Sequence, residues 1–96
     1  MDVRIQSIHF DATEKLESFI NKKVEKLSRR HASITAVDVT LKVVKPETSM
    51  NKEVTIKVAV PQHEDLVAGK VADTFEEAVD LALEALDRQL EKHKDK

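Results

Sequence analysis

The sequence predicts an α+β fold in the order β-α-β-β-β-α, a four-stranded mixed sheet with two helices packed on one face, built as a single domain over residues 1–96. Three observations lead there. Two stretches carry apolar residues at helical spacing, four carry them at every second position, and a capping sequence stands before each helix. Each strand offers only one apolar row, so both helices must cover the same side of the sheet. A chain of 96 residues suits one such core.

Val3 and Ile5 alternate with Arg4 and Gln6, which places a first strand at about 2–8. Asp11 or Thr13 caps the helix that follows, and with Asp11 as the cap, Glu14 completes a capping box. Leu16, Phe19, Ile20, Val24 and Leu27 then recur on one face up to about His31. From Ala36 to Lys45 the alternation is clearest, with Val37, Val39, Leu41 and Val43 set against Asp38, Thr40 and Lys42. Pro46-Glu47-Thr48-Ser49 breaks it. Val54, Ile56, Val58 and Val60 make a third strand that Pro61 ends, and after a turn at 61–65 a fourth runs from Leu66 to Ala72. Its Gly69, the only glycine, predicts a bulge or a close approach of backbone to helix. Thr74-x-x-Glu77 caps the last helix, whose inner face carries Phe75, Val79, Ala82, Leu86 and Leu90. The strand-helix-strand crossover should be right-handed and leave the first two strands parallel, and the short connections after it make antiparallel hairpins.

Composition narrows the function. There is no cysteine, hence no disulfide and no thiolate metal site. The three aromatics are all Phe, too few for a base-stacking platform. No apolar run approaches the ~20 residues of a membrane span, and Met1-Asp2-Val3-Arg4 does not open a signal peptide, so the chain reads as cytoplasmic with no membrane partner. His9, His31, His63 and His93 fall at segment ends with no i,i+4 pair on a helix, the serines sit in no nucleophile elbow, and no glycine-rich phosphate loop is present. Carboxylate pairs such as Glu76/Glu77 and Asp80/Glu84 belong to an exposed flank without an apolar pocket to raise a pKa. No catalytic residue, metal, cofactor or small-molecule substrate is therefore expected.

The formal net charge of −2 conceals segregation along the chain. Residues 14–31 carry six Lys/Arg against three Glu, residues 47–80 three Lys against eight acids, and residues 88–96 four Lys/Arg against two acids. On a helical wheel Lys15, Lys22, Lys26, Arg29 and Arg30 share one flank of the first helix, opposite Glu14, Glu17 and Glu25. In the last helix Arg88, Gln89, Lys92 and Lys96 share a flank, opposite Glu76, Asp80, Glu84, Asp87 and Glu91. Side by side, the helices are expected to present a positive strip along or between them, spread over several turns like a phosphate backbone. Part of this pattern needs no partner, because basic residues favour helix C-termini and Glu25/Arg29 and Glu84/Arg88 are ordinary i,i+4 pairs. Lys23 projects beside the apolar stripe between Phe19 and Leu27, either as a stem covering the core or as a cation held at the edge of a binding surface.

Arg88-Gln89-Leu90 followed by Lys92-His93-Lys94-Asp95-Lys96 resembles the R-Q-L-x-K-H-K-D-K ending of the bacterial ribosome hibernation-promoting factors, a family that includes the ribosome-associated inhibitor. Ala78-Val79-Asp80 is similar to the A-I-D of the same helix, and Thr13-Glu14 with Leu16, Lys23, Lys26 and Leu27 is similar to the family's first helix. The element order is also that family's fold. The resemblance implies a protein, monomeric when free, that binds the 30S ribosomal subunit on its 16S rRNA near the decoding centre. There it blocks the mRNA and tRNA sites and inactivates idle ribosomes. It also implies rRNA contacts by Lys23, Lys26, Arg88, Lys92 and Lys94; the wheel adds Lys22, Arg29 and Arg30, and Gln89, His93 and Lys96 of the matched ending complete the expected set. The short form is expected, and whether it promotes or blocks ribosome dimers is open, with the ending favouring promotion. A generic double-stranded RNA binder and a protein-interaction module are the other two classes. The acidic Thr74-Phe75-Glu76-Glu77 start of the last helix, where such a binder has lysines, speaks against the first.

Overall fold

Period-two alternation becomes four strands and helical spacing becomes two helices in the computed structural model, which describes residues 2–8, 10–44 and 50–94, the side chains of His93 and Lys94 excepted. The elements are β1 (Asp2–Ile8), α1 (Glu14–Arg30), β2 (Ala36–Val43), β3 (Lys52–Ala59), β4 (Leu66–Ala72) and α2 (Phe75–Lys94). The sheet order is β1-β2-β3-β4, with β1 parallel to β2 and the other neighbours antiparallel, as the connection lengths predict.

Register turns the one-sided alternation into rows. Val3, Val37, Val58 and Leu66 form one row across the sheet and Ile5, Val39, Ile56 and Ala68 the next. These rows meet Leu16, Ile20, Val24 and Leu27 of α1 and Phe75, Ala78, Val79, Ala82, Leu83, Leu86 and Leu90 of α2 in one buried cluster. α2 packs on β3 and β4 with α1 alongside it, leaving α1 to close the β1–β2 half. The opposite sheet face is open and polar, with rows such as Gln6, Thr40, Thr55 and Gly69. Phe10, in the loop after β1, stacks on Phe75 at the start of α2, with ring centroids 5.0 Å apart and planes within 8°.

Thr13, not Asp11, caps α1. Its extended backbone directly precedes Glu14, and its Oγ1 accepts the Leu16 N–H at 3.1 Å, so the box built on Asp11 does not form. Thr74 caps α2 as predicted, its Oγ1 accepting the Glu77 N–H at 3.1 Å. Gly69 makes neither of its expected features. β4 runs unbroken through it, opposite Thr55, and the alternation sets position 69 on the open face, away from the helices. A Cβ there would meet Thr55 Oγ1 at an ordinary 3.7 Å, and the backbone is not in the left-handed region. β2 ends at Val43, and Val44 N–H still donates to the Asn51 carbonyl at 2.9 Å. The expected strand end at Lys45 and the breaker 46–49 lie outside the described residues.

Two substitutions separate cap from filler. Thr74→Ala should lower stability by about 1 kcal/mol, a fall in Tm of roughly 4–8 °C for a domain of this size. Gly69→Ala should raise stability by about 0.4–1 kcal/mol, because it restricts the unfolded chain without straining the strand. Thermal melts followed by circular dichroism read both.

Candidate nucleic-acid interface

Directions of the strands decide how the two charged helices meet. β1, β2 and β4 run one way and β3 the other, so α1, which returns from β1, and α2, which returns from β4, point the same way. The contacts between them keep one register. Lys23 Nζ lies 3.3 Å from Asp80 Oδ1, and one heptad further along both helices Arg30 Nη2 lies 3.3 Å from Asp87 Oδ2. α1 ends level with Asp87, so residues 88–94 of α2 extend beyond it, about 10 Å at 1.5 Å per residue. The basic last turns of both helices therefore gather at one end of the elongated molecule, whose extents are 45 × 22 × 18 Å.

The seam itself is not positive, so the expected strip does not run between the helices. α2 turns its acidic flank to α1, so Lys23 and Arg30 face Asp80, Asp87 and Glu91 instead of reinforcing a second basic flank. Periodicity ranks residues around one helix, but it cannot say which flank meets a neighbour. Lys23 is held in place, as one of its two readings requires, yet its partners are internal: the Asp80 carboxylate and the Phe19 ring, whose centroid is 5.4 Å from the ammonium. Asp87 is the hub. It accepts from His31 Nε2 at 2.7 Å as well as from Arg30, and Glu91 stands 3.8 Å from the same imidazole nitrogen. His31 is buried, which its place as the last residue of α1's apolar spacing, after Val24 and Leu27, foreshadows. His31, Asp87 and Glu91 each offer one ligand atom within 4.8 Å of the others. The Arg30 guanidinium also reaches both carboxylates.

The remaining expected contacts fall into two groups. Lys22 and Arg29 form the outer ridge of α1 and Lys26 stands at the lip of the seam groove; among the described residues Lys22 and Lys26 have no ion-pair partner, and Arg29 pairs only with exposed Glu25 at 3.2 Å. Arg88 and Lys92 follow on the extension of α2. Arg88 pairs with exposed Glu84 at 3.4 Å, while Lys92 is exposed without an ion-pair partner among the described residues. Exposed pairs of this kind are worth at most about 1 kcal/mol. Gln89 is turned toward the sheet edge, its Nε2 donating to the Val67 carbonyl at 3.4 Å. His93 and Lys94 belong to α2, their side chains outside the described residues, and Lys96 lies outside them altogether.

A family model described as sigma 54 modulation protein / S30EA ribosomal protein matches residues 3–96. The ribosome hibernation promoting factor of Azotobacter vinelandii is 33% identical over 100 residues, covering all of this chain and 85% of that protein. Its namesake from Pseudomonas putida is 32% identical, covering all of this chain and 89% of the relative. Two solved structures share the fold. A ribosomal subunit interface protein from Coxiella burnetii superimposes with a TM-score of 0.87 over the whole of both chains at 22% identity. The N-terminal domain of Thermus thermophilus Protein Y superimposes with a TM-score of 0.80, over 97% of this chain and 99% of that one, at 17% identity. The chain belongs to the sigma 54 modulation protein / S30EA ribosomal protein family.

The hub and the surface pairs should separate in urea denaturation. Asp87→Ala strips the buried His31 of its nearest partner and should cost about 1–3 kcal/mol. Glu84→Ala, which breaks one exposed pair, should change stability by less than about 0.5 kcal/mol.

Proposed function

We propose that this chain is a ribosome hibernation factor that acts as a single ribosome-binding domain. The observation that carries this reading is the match of essentially the whole chain, residues 3–96, to a family whose curated members are named ribosome hibernation promoting factors. In this reading the free protein is a monomer in the cytoplasm. It docks on the 16S rRNA of the 30S subunit near the decoding centre and fills space that mRNA and tRNA need. No bond is made or broken, and inactivation is occlusion. Among the described residues no helix is long and apolar enough to cross a membrane.

The gathering of two basic helix ends supports an RNA surface as the target. Lys22, Lys26 and Arg29 on one helix, Arg88, Lys92 and Lys94 on the other, and Lys96 of the matched ending would replace counterions on rRNA phosphates. His93 would add hydrogen bonds at the same end, and Gln89 would do so by leaving the Val67 carbonyl. Lys23 and Arg30 reach phosphate only by leaving their carboxylates. Specificity comes from the shape of folded RNA, since three Phe are too few for a base-stacking platform. Affinity should then fall by about 0.7–0.9 log unit per log unit of salt for each phosphate contact.

Co-sedimentation with 70S ribosomes over a salt gradient checks this. The wild type should pellet at low salt and be released as salt rises, and both Lys22→Glu/Lys26→Glu and Arg88→Glu/Lys92→Glu should lose pelleting at physiological salt with their circular dichroism unchanged. Lys23→Glu is unsuited, because Lys23 is engaged inside the seam by both Asp80 and the Phe19 ring. Undiminished pelleting of both double variants would remove the helices from the contact surface.

A further inference from the structure

The acidic flank of α2 has no place in a phosphate-binding surface, yet it lies against the cations of α1. Asp80 holds Lys23 at 3.3 Å; Asp87 and Glu91 hold Arg30 at 3.3 and 3.9 Å. The groove along this seam is lined by Lys23, Lys26 and Arg30 on one wall and Asp80, Glu84 and Asp87 on the other. A carboxylate paired to Lys or Arg makes the same charge-assisted hydrogen bond as a phosphate oxygen. The two acids thus occupy the positions a nucleic-acid backbone would need in order to use those cations.

We propose that Asp80 and Asp87 are specificity-determining residues, internal phosphate mimics that withhold Lys23 and Arg30 from RNA in general. This rests on the hibernation reading above and adds to it a discrimination between the ribosome and the bulk of cellular RNA. A flexible or merely polyanionic RNA meets only the outer ridge of α1 and the extension of α2. A rigid folded surface that presents several phosphates at once, matched to the shape of the groove, can exchange carboxylate for phosphate at Lys23 and Arg30 together. Both side chains are positioned for that exchange. Lys23 is pinned over Phe19, and Arg30 is 61% exposed. Selectivity then comes from carboxylates that make no contact with the target.

Asp80 gives the cleaner test, since it is half exposed and Lys23 is its one ion-pair partner among the described residues, whereas Asp87 also supports buried His31. Asp80→Asn keeps the shape and removes the charge. Binding of the wild type, Asp80→Asn and Asp80→Asn/Lys23→Met to a naked RNA duplex and to 70S ribosomes is measured from 50 to 200 mM salt. Freeing one cation should steepen the salt slope on naked duplex by about 0.7–0.9, an additional loss of about threefold across that fourfold salt range. Asp80→Asn should also bind the duplex more tightly than the wild type at 50 mM salt, so its ratio of ribosome to duplex affinity falls. The double variant should return to the wild-type slope. An Asp80→Asn slope equal to the wild type's, or weaker binding to both ligands, overturns the proposal. Failure of the wild type to bind ribosomes overturns instead the reading it rests on.

Discussion

A sheet that is apolar on one face only constrains everything else in this molecule. Four strands with one inward row each leave a single surface to bury, so two amphipathic helices must lie side by side upon it. The strand directions then make them parallel. Parallel neighbours place both negative dipole ends together, and the cluster of Arg29, Arg30, Arg88 and Lys92 at that end offsets them. In the proposed reading Arg29, Arg88 and Lys92 are also the cations offered to an RNA backbone, whereas Arg30 is answered by Asp87 and Glu91.

The acidic residues acquire a purpose from this geometry. A net charge of −2 is a poor guide to how charge is distributed when part of the negative charge lies along an internal seam. No single bridge in that seam is strong, because most of its members are partly solvated. They share one register: Lys23 with Asp80 and Arg30 with Asp87 keep the same alignment over a heptad. Under the seam lie Leu27 and Leu83, so hydrophobic burial supplies the stability beneath these bridges.

Much of the fold was legible in the sequence. Val37, Val39 and Leu41 announced β2 because alternating exposure has only one periodicity, and Thr74 announced the start of α2 because a hydroxyl before a helix satisfies a free N–H. Other positions were ambiguous for physical reasons. Asp11 and Thr13 are both competent caps, and only the path of the chain from β1 chose between them. Gly69 has the residue type of a bulge, but β3 pairs through it without interruption. Each of the expected RNA-contacting residues on the described helices was identifiable as a basic or polar flank position. Which of them stand free was not.

By itself, the sequence determined the element order, the inward faces and the concentration of positive charge at two helix ends, since these follow from local spacing and capping chemistry. Only the tertiary structure decided that one basic flank would be answered by carboxylates while the other basic residues stay exposed. That choice depends on how two helices are rotated against each other, a quantity set by packing between residues more than fifty positions apart along the chain, such as His31 and Asp87.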